Sequence, residues 1–398
     1  MLVGLPACFI SAEGIAGREV DDGSIPMLPS DARADASADV PDGMPSRPDA
    51  DLPMDARPPV PGDWWNEEWI VRHRVDLSPG PVGSRVEGVP AVIQLDVGSI
   101  EFALAGESGR ALRAVSSEGE RLDVEIEAWS DTQGARLWLL LPVLDPADPD
   151  PHFWIYLDNP EALAPSGEEG ARVWDEGFMG VYHLERDVLD STSNAHDGSD
   201  DRSGAPASAR LTGGRSWDSG DAFRVADAST LAAVEVTLSA WVRPRSRAHH
   251  HGVLSKRVGC GGRANYALFL TSSGRVQFEF FNGQWRTFQA GEFRENEWLH
   301  VSASFTASPS GGGQARIYLN GEELGSFASP VGLIADSNPI EIAGNGGCGG
   351  DFFEGDLDEV RLSRIARSSE WIRAQHHAMT SALVRGIGAA ESIASSRP

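Results

Sequence analysis

From residue 63 onward, apolar and polar positions alternate with period two. Val71–Leu77, Ala91–Val97, Leu122–Trp129, Ala135–Leu141 and His152–Leu157 each read as a strand with one buried face. In Leu122-Asp123-Val124-Glu125-Ile126-Glu127-Ala128-Trp129 the even positions are apolar and three of the odd ones acidic. A second series opens at Val181–Glu185 and continues through Ala222–Ala226, Val236–Val242, Tyr266–Leu270, Val276–Phe280, Val301–Phe305 and Ile317–Leu319. Asn282-Gly283 and Asn320-Gly321 fall between such runs and predict tight hairpins. Only Ser368–Met379, with Trp371, Ile372 and Met379 apolar, has the spacing of a closing helix. The pattern predicts an all-β chain of two antiparallel β-sandwiches, over 63–165 and 177–380, the second a jelly roll.

The first 62 residues break the pattern. Residues 9–62 hold almost no aromatic side chains and are rich in Ala, Asp and Pro, so they cannot offset their ordering entropy and predict a disordered spacer. Residues 381–398 read as a flexible tail. Leu5-Pro6-Ala7-Cys8 resembles a bacterial lipobox, with residues 1–8 the remnant of a lipoprotein signal and Cys8 the lipidated residue. Pro6 departs from that pattern, and a charged n-region is missing. A chance cysteine in a disordered N-terminus is the alternative. The lipobox reading places the protein in the bacterial cell envelope, as an outer-membrane lipoprotein or a secreted protein.

Charge narrows the function classes. Lys and Arg total 33 against 59 Asp and Glu, a net charge of −26. That balance argues against nucleic-acid binding and against docking on anionic lipid, which leaves a lipid anchor as the route to a membrane. Lys256 is the single lysine among 32 arginines, which reads as a base-composition bias of the genome. The 44 Gly, 25 Pro and 12 Trp suit short strands and many turns.

Three Trp in six residues, Trp64, Trp65 and Trp69, begin a core. With Ala91-Val92-Ile93-Gln94-Leu95, Glu125-Ile126-Glu127-Ala128-Trp129, Leu137–Pro142 and Ile155–Pro160, they resemble the family catalogued as domain of unknown function 2341. Leu157-Asp158 replaces the Tyr-Gly usual there. This resemblance implies an exported accessory sandwich without known activity. The second segment resembles the laminin-G-like jelly roll of the concanavalin A-like lectin and glucanase superfamily. That likeness rests on the Asp190–Gly198 string, Leu238–Pro244, Glu297–Val301, Ile317–Gly321 and Phe353–Leu362.

The jelly-roll resemblance implies a rim that binds a carbohydrate or an extracellular protein, with Ca²⁺ as a cofactor held by Asp190, Asn194 and Asp358. The plainer alternative makes Asp190 and Asn194 turn caps and Asp358 a solvated strand end. Cys260 and Cys348 occupy twin Gly-Cys-Gly-Gly loops that the family pattern places at one rim, and in an oxidising envelope they would form a disulfide. Free thiols or half of a metal site are the alternatives. Glu354-x-Asp356-x-x-Glu359 has the spacing of a glucanase motif on this superfold, with Glu354 and Glu359 as nucleophile and acid. Gly355 stands where that motif expects a β-branched residue. His249-His250-His251 could bind a transition metal, but adjacent histidines point different ways and make a weak chelate, so the run reads as a solvated loop. The expectation is a non-catalytic, envelope-exposed binding protein, with a glycan-cleaving enzyme or a purely structural adhesion module as alternatives.

Overall fold

The computed structural model describes residues 64–185, 187–199, 202, 206, 207, 210, 211, 213–259, 261, 264–346 and 351–393. Cys8, Cys260, Cys348, the lipobox and the whole of the 9–62 spacer lie outside them. Among the described residues no helix is long and apolar enough to cross a membrane.

The described chain is built of antiparallel sheets, as its period-two pattern requires. In the first sandwich, Val71–Leu77 pairs with His152–Leu157, which pairs in turn with Arg113–Ser116. The facing sheet is Val86–Leu95, Gly134–Leu144 and Val124–Ser130. Val75, Ala114 and Ile155 of one sheet meet Val89, Ile93, Leu137 and Leu139 of the other in one core. Trp69 is buried and donates Nε1–H to the Ala111 carbonyl at 2.7 Å, while Trp64 and Trp65 pack edge-on against Tyr156. The segment expected as a tail is corrected here. Val384–Ile387 and Glu391–Ser392 pair with Val71–Leu77, and Arg72 Nε donates to Glu391 at 2.9 Å. These strands are too short, and Gly386 interrupts them too soon, for alternation to be read.

Among the described residues, the second sandwich has a seven-stranded front sheet and an eight-stranded back sheet. The front sheet runs Trp285–Ala290, Val276–Phe281, Ala264–Leu270, His251–Arg257, Ile340–Ile342, Phe223–Val225, Gly198–Ser199. In the back sheet Gly355–Ser363 lies beside Val236–Pro244, followed by Leu299–Ala307, Gly313–Leu319 and Glu322–Ser329. Phe278, Phe280, Val301, Phe305, Leu357 and Leu362 are among the side chains that fill the space between. Asn320 and Gly321 both take positive φ, 51° and 80°, the twist a two-residue hairpin needs.

The back sheet does not face water. Trp241 and Tyr318 on its outer side join the core of the first sandwich. Helix Ser369–Ala378, whose N-cap Ser368 accepts from the Trp371 N–H at 3.1 Å, clamps the two together. Its Gln375 Nε2 donates to the Pro90 carbonyl at 2.8 Å and its Trp371 Nε1 to Gly88 at 3.2 Å. Fully buried in the same seam, His300 packs against both Trp241 and His376, with ring centroids 5.3 and 5.7 Å away. Neither of its ring nitrogens has a hydrogen-bond partner among the described residues.

Burial, helped by His376 and Arg361, drives His300 well below its ordinary pKa, and burial with Arg210 brings His376 down to about 4. Both are neutral in the fold and charge more readily once it opens. The unfolded chain then binds more protons below about pH 6.5, so this contribution is complete above that value and is lost as pH falls. We expect His300→Phe to flatten the decline of melting temperature between about pH 6.5 and 5, the histidine range. An unchanged slope would show that this ring does not set it.

Candidate functional site

Four front-sheet positions and one loop build a groove on the face turned away from the core. In Val276–Phe281, Val276, Phe278 and Phe280 enter the core, which leaves Gln277 and Glu279 on the opposite face. Arg257 ends its strand beside them, and Trp285 opens the strand after the Asn282-Gly283 turn. Asn345 and Asp351 close the far side, giving a trough of about 320 Å³ that also touches His250 and Phe269. Trp285 is 38 % exposed. The Arg257 guanidinium sits 4.7 Å from its ring centroid, and Phe281 braces it edge-on at 5.4 Å. Arg257 Nη1 is 3.3 Å from Glu279 Oε1, and Glu279 Oε2 accepts from Gln277 Nε2 at 2.7 Å. Gln289 in turn donates to Gln277 Oε1 at 2.6 Å, and Asn345 Nδ2 to Asp351 at 2.8 Å. Burial pushes Glu279 up and Arg257 down, each against the attraction of the other. The groove therefore offers one aromatic face and a row of planar polar groups held in place by one another.

The family model Laminin_G_3, described as the concanavalin A-like lectin/glucanases superfamily, matches residues 217–373. This segment is a concanavalin A-like domain. Among curated proteins none matches the chain. Among solved structures it is similar to domain 4 of AbnA, an extracellular arabinanase of Geobacillus stearothermophilus in complex with arabinotriose. That likeness has 18 % identity and a TM-score of 0.40 over 50 % of this chain and 98 % of that one. It is also similar to a sialidase CBM40 of Ruminococcus gnavus bound to sialyllactose, with 18 % identity and a TM-score of 0.35 over 40 % and 95 %. A third likeness is to the binding domain of Paraclostridial Mosquitocidal Protein 1, with 12 % identity and a TM-score of 0.40 over 50 % and 52 %. The chain thus spans about half the length of that last structure.

The residues expected as calcium ligands have other partners. Asp190 Oδ1 accepts from the N–H groups of Val181 and Thr192 at 3.0 Å, and Oδ2 from Thr192 Oγ1 and the His196 N–H at 2.9 Å. Asn194 Nδ2 donates to the Phe178 carbonyl at 3.0 Å and to Thr192 Oγ1 at 3.1 Å. Both therefore organise the turn itself. Asp358 is 1 % exposed, so it is no solvated strand end, and it accepts from the Leu211 N–H at 3.0 Å.

The proposed carboxylate pair is also separated by its partners. Glu354 sits at the rim, 3.8 Å from His249 Nε2. Glu359 is buried between the sandwiches, bonded to His183 Nδ1 at 2.8 Å and Arg361 Nη2 at 2.7 Å. A bulge opposite Ser239 and Trp241, with Glu359 at φ 54°, breaks the alternation that the motif assumes. The histidine run needs correction as well. His251 is fully buried on a strand, bonded through Nε2 to the Ser246 carbonyl at 2.8 Å and accepting at Nδ1 from the Glu354 N–H at 3.1 Å.

Around Glu359 lies a cluster the sequence did not disclose. His183 stacks on Trp138, and its Nε2 lies 3.4 Å from Glu125 Oε2. Glu127 Oε2 accepts from Trp138 Nε1 at 2.7 Å and is 3.0 Å from Arg136 Nε. Arg361 lies over both Trp138 and Trp174, at 4.5 and 4.8 Å. Burial pushes Glu127 up to about 7. Burial also opposes charge on Glu359, but His183 and Arg361 outweigh it and hold that carboxyl at about 2.

Proposed function

We propose that this chain is an exported, non-catalytic protein whose concanavalin A-like domain binds an oligosaccharide across the Trp285 face of its front sheet. The observation that carries this is an exposed Trp held flat by Arg257 above a row of mutually braced Gln, Glu, Asn and Asp side chains. Sugar rings present C–H faces to aromatic surfaces and fans of hydroxyls to planar amides and carboxylates, so such a trough suits them. The different surroundings of Glu354 and Glu359 weigh against hydrolysis. Export rests on the Leu5–Cys8 lipobox and the acidic spacer, and the first sandwich would act as an accessory module on that tether.

The test is a screen of the full chain against an array of neutral and acidic oligosaccharides, with and without Ca²⁺, followed by titration of the best probe. Trp285→Ala should lower affinity by about 2 kcal/mol, or roughly thirtyfold in Kd, with little change in melting temperature. Binding that survives only with Ca²⁺ would add an ion to this site. No binding to any glycan would leave the structural-module reading in its place, and equal affinity in the variant would move the binding surface away from this groove.

A further inference from the structure

We propose that Glu127, His183 and Glu359 form a divalent transition-metal site that staples the two sandwiches together. One donor atom from each lies within 4.8 Å of the other two. Ligands of one such ion sit at about 2.0–2.2 Å from it, hence no more than about 4.4 Å from each other, so a few tenths of an ångström of closing completes the set. The 2.8 Å between His183 Nδ1 and Glu359 Oε1 already suits two neighbouring ligands of one ion.

Two further observations point to a cation. Glu127 has a side chain only 5 % exposed, and its Oε1 has no hydrogen-bond partner among the described residues. A buried carboxylate oxygen without a partner is costly and calls for a donor or an ion. The cluster is also rich in carboxylates, since Glu125, Glu127, Asp358 and Glu359 gather around the guanidinium groups of Arg136 and Arg361 and the single imidazole of His183. An imidazole with two carboxylates favours Zn²⁺, Mn²⁺ or Co²⁺ over Ca²⁺, which prefers oxygen ligands alone. The surrounding groups are those of a built site. Trp138 fixes Glu127, Arg361 fixes Glu359, and Glu125 lies behind His183. Glu127 comes from the first sandwich and His183 and Glu359 from the second segment, so an ion here would resist their separation.

The measurement is made on the full chain freed of metal by a chelator, then titrated with Co²⁺ and followed by visible absorption and equilibrium dialysis. One Co²⁺ per chain, displaced by Zn²⁺, with a melting temperature raised by Zn²⁺, is the expected result. Loss of an outer partner alone costs about 10–100-fold in metal affinity, so Glu127→Gln and His183→Gln should each cost at least about tenfold. His249→Asn, in the histidine run at the rim beside Glu354, should cost nothing. Absence of stoichiometric uptake by the wild-type chain would overturn the proposal and mean that protons alone balance the cluster. Uptake undiminished in both Glu127→Gln and His183→Gln, or abolished by His249→Asn, would overturn it too. Because the wild-type titration stands by itself, a variant that fails to fold does not decide the matter.

Discussion

Lys256→Met should destabilise the concanavalin A-like domain by about 3–5 kcal/mol, the usual cost of breaking one side of a buried ion pair. The side chain of Lys256 is fully buried on the strand His251–Arg257. Its ammonium bonds to Asp227 Oδ1 at 2.6 Å and to the Asn338 carbonyl, and lies 3.4 Å from Asp336 Oδ1. Asp227 is 30 % exposed and can turn to water once the amine is gone. Asp336, 5 % exposed, cannot, and keeps the Asn338 backbone and side-chain N–H groups, at 3.1 and 2.9 Å. Met fills nearly the same volume, so the loss reports charge rather than packing. In thermal unfolding the variant should melt roughly 10 °C lower. Adding Asp336→Asn to it should recover much of the loss by removing the stranded charge. A single variant that melts within a degree or two of the wild type would sink this account.

That lysine illustrates what the sequence does and does not disclose. One Lys among 32 Arg looks like base composition. In the fold it is the position where a thin stem with a point charge enters a slot, and a planar guanidinium fork does not substitute there. Composition carries no information about burial, so the signal was present but unreadable.

Strands were legible where alternation ran long enough. Val71–Leu77 and His152–Leu157 keep the limits expected of them, and the closing helix differs by one residue at each end. The groove was half legible. Gln277 and Glu279 alternate with Val276, Phe278 and Phe280, which marks a polar face opposite a core face, but only the pairing of four strands brings Arg257 and Trp285 to them. The seam was not legible at all. Ser239, Trp241, His300 and Ser302 look like the solvated face of an edge-on sheet, yet all four are buried, because a second sandwich covers them. Period two reports that a strand has two faces. It does not report what covers the outer one.

Gly355→Val should cost roughly 4 kcal/mol, combining strain at a glycine-only backbone angle with overpacking. The substitution would supply the β-branched residue that the glucanase-like string Glu354-x-Asp356-x-x-Glu359 lacks. Gly355 has φ +147° and faces Pro244 across the back sheet. A Cβ there would overlap the Arg243 carbonyl oxygen and press on Pro244 Cα, both backbone atoms that cannot swing aside. The displaced strand would also pull Asp356 from its 2.5 Å ion pair with Arg243, one residue on. The chain thus approaches the catalytic string in spelling while its backbone forbids the missing letter. Chemical denaturation of the variant measures the cost, through a lower midpoint at unchanged slope. A midpoint equal to the wild type would mean the strand can shift to admit a side chain. If that folded variant also cleaved a glycan, Glu354 and Glu359 would regain a catalytic role and the non-catalytic reading would fall.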